Sequence, residues 1–492
     1  FEVVNAGVPA LNSFGILARV REACSYGADV IVCYSAHNEF YGAYGSASAL
    51  PLSSHRAAAL GQMWLSSRRL SMVAGDVVAA LLPPPDSTPA RRHLAQVMPR
   101  LTNVRCGSAL YERTRDNFAA NLTDIAREAR RHGAQVVLCT VAANLRDMPP
   151  MKSLHRPGWG GRRAEQWREH LAAAEELAAG GDGAAAAVHL TAAADLDPGH
   201  AATRFRLARA LDVLGRTDEA REQYAAARDR DTVRWRAPGD FNDAVRSVVA
   251  ALDDPGVVLA DCERHLLTVA DGSVPGADLF LEHVHPNVRG NAALAEAIAL
   301  ALADSASGRR LGRWDWSLHD SPAGYAGRND LDAVDLLLAY RQAAMLWRDV
   351  IGQTDPPTSQ YQHCLAEVAG LEDGLDDVQT QALALAGSGP ADGYYERLQL
   401  ALAAGHLGHG QHSRAETAVR KALLYGEGQT RRDRYAALLM AHSLVLQELG
   451  HEGPAADDAA RARQLAPDTA AEAARCSARE WLARLGAPEP PD

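Results

Sequence analysis

Short continuous runs of apolar residues alternate, in the first third of the chain, with longer stretches in which apolar residues recur every three or four positions. The runs are Phe1 to Asn5, Asp29 to Tyr34 and Ala134 to Val141, and a fourth, Gly256 to Asp261, follows far downstream. Strands that are apolar on both faces and separated by helices predict a parallel sheet covered on both sides. Phe14, Leu17, Val20 and Cys24 lie on one face of a helix that Asn12 or Ser13 can open and Gly27 can close. Phe1 to Tyr34 therefore reads as a βαβ unit. Phe118, Leu122, Ile125 and Ala129 repeat the stripe ahead of the third run and stop at His132-Gly133. An α/β core is expected, interrupted between its third and fourth strands.

The interruption has a period. Ala186, Leu190, Ala193 and Pro198 follow a small, large, small, proline pattern, and Ala220, Tyr224 and Ala227 repeat it 34 positions on, as do Gly181 and Gly215. A 34-residue period of this kind predicts two tetratricopeptide-like helical hairpins from about Trp167 to Asp231. Thr232 stands where the second unit should close on proline. Ala415, Val419 and Ala422, then Ala455, Ala459, Ala462 and Pro467, give a related pattern offset by 455 − 415 = 40, which needs a longer loop around Gly426 to Thr430. The expected division is 1–160 (first part of the α/β core), 164–231 (inserted repeat pair), 232–305 (second part of the core), 306–390 (irregular helical linker) and 391–485 (C-terminal repeats).

Composition narrows the function. With 47% hydrophobic and 23% charged residues over 492 positions, the chain is of ordinary globular usage. Its 50 Lys+Arg against 61 Asp+Glu leave a net charge of −11, which argues against nucleic acid as a partner. The cysteines, seven in number, are scattered without a CxxC pair, so neither a disulfide framework nor a zinc site is expected, and Cys33 and Cys139 read as core. No apolar stretch is long enough to span a bilayer.

Two stretches place polar chemistry after strands. Tyr34-Ser35-Ala36-His37-Asn38-Glu39-Phe40-Tyr41-Gly42 follows the second run, at the edge where open α/β sheets bind ligands. Glu282-His283-Val284-His285-Pro286-Asn287 leads into an amphipathic helix from Ala293 to Leu302. A carboxylate three positions before a histidine can hold the imidazole in one tautomer as a general base. Alone, that spacing is also what a structural, helix-capping histidine would show. Neither metal nor cofactor is expected from these residues.

Taken in order, Val4-Asn5-Ala6-Gly7, Ala36-His37-Asn38-Glu39-Phe40-Tyr41-Gly42 and Glu282-His283-Val284-His285-Pro286-Asn287 resemble the second, third and fifth blocks of the SGNH/GDSL hydrolase family. The resemblance is to its bacterial members with tetratricopeptide repeats, and Asn144-Leu145-Arg146-Asp147 and Arg234-Trp235-Arg236-Ala237-Pro238 look like segments usual in that subgroup. It implies a flavodoxin-like core, Gly7 and Asn38 as oxyanion donors, and His285 as the base with Glu282 as its acid. His37, Glu39 and His283 would line the site. Glu282 stands where the family usually has Asp. The family's nucleophile block, Gly-Asp-Ser or similar, would precede Phe1; Ser13 and Ser35 sit in no comparable elbow, so the chain supplies no nucleophile and is expected to be inactive as an esterase by itself.

The resemblance further implies a small-molecule or polysaccharide ester as substrate, a protein or peptide partner on the repeats, and an N-terminal anchor or export signal in many relatives. Three activities stay open: ester hydrolysis, acyl transfer to a polysaccharide, and a repeat scaffold that retains an inactive hydrolase domain.

Overall fold

The computed structural model describes residues 3–42, 44–45, 47, 55–66, 103–305, 308–309, 321–351, 358–387, 393–426 and 431–486. They belong to two units: Phe1–Arg328 with Ala339–Glu367, and Asn329–Leu338 with Val368–Asp492. In chain order the first unit holds α1 (Ser13–Ser25), β1 (Val30–Tyr34), α2 (Arg56–Ser66), α3 (Ala109–Arg131), β2 (Gln135–Cys139), α4 (Gly161–Ala179), α5 (Gly183–Leu196), α6 (Ala201–Val213), α7 (Thr217–Arg230), α8 (Gly239–Leu252), β3 (Val257–Ala260), α9 (Cys262–Val269), α10 (Val288–Ala303) and α11 (Pro322–Arg328). One boundary between the units falls at the end of α11, and the other two inside α12 (Ala333–Leu346) and α13 (Gln360–Asp373).

Three of the four apolar runs form the sheet. β1, β2 and β3 pair in parallel in that order, with Val30 opposite Gln135 and Val136 opposite Val257. Because side chains alternate along a strand, each strand feeds two core layers. Ile31, Cys33, Val136, Leu138 and Val257 pack with α1, α3 and α8 through Leu17, Phe118, Ile125 and Phe241. Val137, Cys139 and Ala260 pack on the other side against Leu266 of α9 and Ala293, Leu294 and Ala297 of α10. All seven cysteines are free, and Cys33 and Cys139 are buried.

The first run corrects the sequence expectation. Residues 3–8 carry no regular structure, and Val3 and Val4 are 81% and 78% exposed, so among the described residues no strand lies ahead of α1, and of the expected βαβ unit they show α1 and β1. Phe1 and Glu2 lie outside the described residues. A strand needs a neighbour for its backbone groups, and apolarity alone does not supply one. Among the described residues β1 is an edge strand, and Val32 remains 45% exposed on the face where Val30 and Tyr34 are half-buried. The helix that follows was legible: Phe14, Leu17, Val20 and Cys24 are its buried residues, Asn12 caps it, and Gly27 leaves it at φ +79°.

The insertion consists of two helical hairpins, α4–α5 and α6–α7. Ala186, Leu190 and Ala193, then Ala220, Tyr224 and Ala227, face a shared core with Phe205 and Leu211. Gly181 and Gly215 occupy equivalent left-handed turns, φ +85° and +72°, which explains their spacing. Thr232 in place of proline also has a reason: its N–H donates to the Lys152 carbonyl at 3.0 Å, and its own carbonyl accepts from Val104 at 2.8 Å. Proline could not make the first bond.

Residues 231–238 leave the repeats as a strap whose charged groups are buried. Asp231 accepts from the backbone N–H of Met151, Lys152 and Val233 at 2.7, 3.0 and 3.1 Å. Arg234 donates to the carbonyls of Val104 (2.9 Å) and Asp229 (2.6 Å) and lies over the Tyr111 ring. Arg236 donates to the carbonyls of Asn144 and Met148, both at 2.8 Å. The described parts of 306–390 include α11, α12, a π-helical turn at Trp347–Ile351, α13 and α14 (Asp377–Gly387); 306–307, 310–320, 352–357 and 388–390 lie outside them. In the first unit, Trp347 packs on Met148, Ala343 and Cys364, and its Nε1 donates to the Leu281 carbonyl at 3.1 Å.

The second unit continues with α15 (Tyr394–Gly408), α16 (His412–Gly426), α17 (Arg432–Glu448), α18 (Glu452–Leu465), α19 (Pro467–Ala473) and α20 (Ala478–Gly486). Ala415, Val419 and Ala422 of α16 and Ala459 and Ala462 of α18 face one core with Leu398, Leu402 and Leu438. Small residues at these positions let hairpin helices approach closely. The extra loop length expected at Gly426 to Thr430 falls mostly on 427–430, outside the described residues.

Candidate active site

The segment from Leu279 to Asn287 folds back on itself. Phe280 and Pro286 form an antiparallel bridge, Leu281 N–H donates to the His285 carbonyl, and Asn287 N–H donates to the Leu279 carbonyl, each bond 2.9 Å long. Asn287 then caps α10, accepting from Gly290 N–H at 3.0 Å, while its amide donates to the carbonyls of Ala277 and Asp278. The tight return explains the glycine: a Cβ on Gly290 would stand 2.1 Å from the Leu279 carbonyl oxygen and 2.9 Å from the Pro286 Cβ.

This turn buries one side chain and presents another. Glu282 is 3% exposed, whereas the His285 side chain is 72% exposed. Glu282 Oε1 accepts from His285 N–H at 3.1 Å and meets Nδ1 of the same ring; Oε2 accepts from His283 N–H at 2.5 Å and meets His283 Nδ1. With Nδ1 turned to the carboxylate, the His285 tautomer that fits has its proton there and a bare Nε2. The ring edge that faces Glu282 is withdrawn from water, and this lowers its pKa from 6.5.

Loops after the strands close around this turn. Asn144, beyond β2, donates its N–H to the His283 carbonyl at 3.0 Å. His37, beyond β1, accepts Ala237 N–H on Nδ1 at 3.1 Å. Burial, then the neighbouring His285, Arg228 and Arg236 charges, push His37 down to about 3 despite the Ala142 carbonyl. Burial, His285, His37 and Arg236 hold His283 well below the ordinary histidine value. Both rings are therefore neutral, and the Trp235 ring lies against His283 with centroids 4.9 Å apart. Burial also draws Arg236 down to about 10, against the pull of Asp231, so it stays cationic at neutral pH.

The structure thus brings Glu282, His283, His285 and His37 to the carboxyl edge of the sheet. It places the other candidates differently. Gly7 is exposed, and its N–H donates to Asn5 Oδ1 at 2.9 Å. Asn38 is exposed, with Nδ2 donating to the Leu11 carbonyl at 3.2 Å. The two segments do meet, since a Cβ on Gly42 would stand 2.6 Å from the Asn38 oxygen and 2.7 Å from that of Ala10. Glu39 turns away from the turn: it is 3% exposed and holds the start of α1, accepting from Ser13 N–H and Oγ–H at 2.7 Å each. Ser13 is buried with it, and among the described residues no serine hydroxyl is hydrogen-bonded to His285.

Glu39 makes stability depend on pH. Burial, partly opposed by the Ser13 bonds, raises its pKa from 4.5 to about 7. The folded form then binds the proton more readily than the unfolded one, so stability is greatest below pH 4.5 and falls as pH rises to about 7. The loss is about 3 kcal/mol from a shift of this size. Glu39→Gln is expected to flatten the decline between about pH 5 and 8, read from urea midpoints; equal slopes in both proteins would contradict it.

Trp235, Arg236 and Asn144 take part without having been singled out as site residues. The available signal was their place in Asn144-Leu145-Arg146-Asp147 and Arg234-Trp235-Arg236-Ala237-Pro238, the two segments whose resemblance to the subgroup came without a role for any residue. As for metals, the donor atoms of Glu282, His283 and His285 lie within 4.8 Å of one another, a spacing that a divalent cation could bridge; here the carboxylate itself stands between the two rings. No helix among the described residues is long and apolar enough to cross a membrane.

A family model described as tetratricopeptide repeat matches residues 177–237, the end of α4 through α7 and most of the strap. Those residues are a tetratricopeptide repeat segment, the kind of scaffold through which proteins bind one another. No curated protein matches the chain.

Proposed function

We propose that the chain forms the acid–base half of a serine-type ester hydrolase site of the SGNH/GDSL kind and docks a protein partner through its repeats. The observation that carries the first part is the Glu282–His285 pair, a buried carboxylate on Nδ1 of an exposed imidazole. His285 Nε2 takes the proton of a serine hydroxyl as its oxygen attacks the ester carbonyl, then returns it to the departing alcohol. Glu282 balances the imidazolium formed between these steps. Water repeats the sequence on the acyl-enzyme. Asn38 and Gly7 give up Leu11 and Asn5 to donate to the oxyanion. The serine belongs to a Gly-Asp-Ser type block, which the assayed protein has to contain.

The test is turnover of short acyl esters, with matched amides as controls, by such a nucleophile-bearing form. Replacing His285 by Ala is expected to lower ester kcat at least roughly 10³-fold. An unchanged rate would remove this function from the chain. The repeat segment alone accounts for protein binding, and nothing specific favours a pure scaffold over the hydrolase.

A further inference from the structure

His442 stands between two carboxylates in the C-terminal repeats. From α17 its Nδ1 meets Asp458 Oδ2 of α18 at 2.7 Å, and its Nε2 meets Glu416 Oε1 of α16 at 3.2 Å. The His442 side chain is 14% exposed and each carboxylate 23%, so water does little to replace either bond. An ionised carboxylate only accepts hydrogen bonds, and a neutral imidazole has one N–H to give. Both contacts are therefore made only when the ring carries two protons. We propose that His442 is a proton-operated tie in the C-terminal repeats: as an imidazolium it holds α16 and α18 to α17, and loss of its proton releases α16.

The other charges around the tie have partners of their own. On α16, Arg420 follows Glu416 by one turn, with Nε 3.4 Å from the same Oε1 and a second bond to Asp330. On α18, Arg461 lies over the Tyr435 ring of α17. His412, at the start of α16, stands 3.3 Å from Glu448 at the end of α17, and both are exposed. On α19 and α20, Glu472 pairs with Arg484, and Glu480 accepts from the Ser477 N–H and hydroxyl. Burial lowers the His442 pKa, and the bonds to Asp458 and Glu416 together with their charges raise it by more, so it stands above the ordinary 6.5.

A folded value above the unfolded one fixes the direction of the effect. The stabilisation is fully present below about pH 6.5 and is lost as pH rises through the folded value. The proton that remains stays on Nδ1, where the contact to Asp458 is the shorter, and a bare Nε2 then faces Glu416. Glu416 turns to Arg420, and α16 loses this link to α17. Little else of the same kind compensates. The fully buried apolar residues of α16 are Ala415, Ala418, Val419 and Ala422, and side chains this small withdraw little apolar surface from water. By contrast α18 keeps Asp458 on the ring and the bond from Ser443 Oγ to the Ala455 carbonyl at 2.7 Å.

The experiment is hydrogen–deuterium exchange of chain 1–492, read peptide by peptide between about pH 6 and pH 9 and corrected for the intrinsic exchange rate. Peptides of α16 are expected to exchange roughly tenfold faster at the upper pH, the effect of losing one charge-assisted bond, and those of α18 to change less. His442→Gln has no charge to lose, so its α16 exchanges at the fast rate throughout. Asp458→Asn removes one of the two charges that raise the pKa, so the response begins at lower pH; it serves if His442→Gln fails to fold. A ¹⁵N-histidine titration of the wild type is expected to find His442 more than half protonated at pH 6.5. A smaller fraction, or α16 exchange with the same pH dependence in the wild type and in the variant that folds, would overturn the tie. Both readouts lie in the second unit, so they stand apart from the chemistry of His285.

Discussion

Replacing Glu282 by Gln in the nucleophile-bearing form lowers kcat about 10⁴-fold and leaves KM nearly unchanged, by the size of the loss when a triad carboxylate becomes an amide. The substitution is chosen because it conserves shape. The Gln oxygen still accepts from one of the backbone N–H groups that Glu282 now takes, those of His283 and His285, so the turn keeps its form. What changes is the ring. An amide NH₂ facing His285 Nδ1 selects the tautomer with a bare Nδ1 and a protonated Nε2, which cannot accept a proton from serine. It also removes the negative charge that offsets the imidazolium. Circular dichroism identical to wild type together with the kinetic loss is the expected pair of results; a loss below tenfold would mean that Glu282 does not orient the base.

Gly290→Ala is expected to destabilise the first unit by about 3 kcal/mol or more, at the upper end of what overpacking costs in a closed site. Its Cβ would lie 2.1 Å from a backbone oxygen, that of Leu279, and backbone cannot swing aside as a long side chain does. Relief requires α10 to move off the turn, and that breaks the Gly290 N–H bond to Asn287 and shifts the strand-like pair Phe280 and Pro286. Thermal unfolding should show the drop, and the His285 tautomer should become mixed at temperatures where the mutant is still folded. A melting temperature within a degree of wild type would show that the turn is looser than described.

What the sequence made legible was local. The α1 stripe, the Gly27 stop and the 34-residue repeat each depend on residues close together in the chain, and each is present. Continuous apolar runs read correctly where a neighbour exists, as for Val30–Tyr34, Gln135–Cys139 and Val257–Ala260. The same signal misled at Val3 to Asn5, because pairing is a property of the sheet and not of the run. For the candidate site, the spacing of Glu282 and His285 fixed their mutual contact, since three residues of a tight turn leave few alternatives. Glu39 lay beyond such reasoning: whether it faced the site or α1 depended on where Ser13 stood, 26 positions away. Trp235 and Asn144 reach the turn only through the fold, from the far side of the repeats and from the end of β2. The burial of Arg234 and Arg236 is equally long-range, because their partners are the carbonyls of Val104, Asn144 and Met148.

The central claim is that His285, oriented by Glu282, is the base that activates a serine for acyl transfer. Its most direct test is the acylation step itself, followed by mass spectrometry after rapid mixing of the nucleophile-bearing protein with a short activated ester. The account predicts a serine acyl adduct that forms within a single turnover in the wild type and at least roughly 10³-fold more slowly in His285→Ala. Adduct formation at the same rate in both proteins would contradict it.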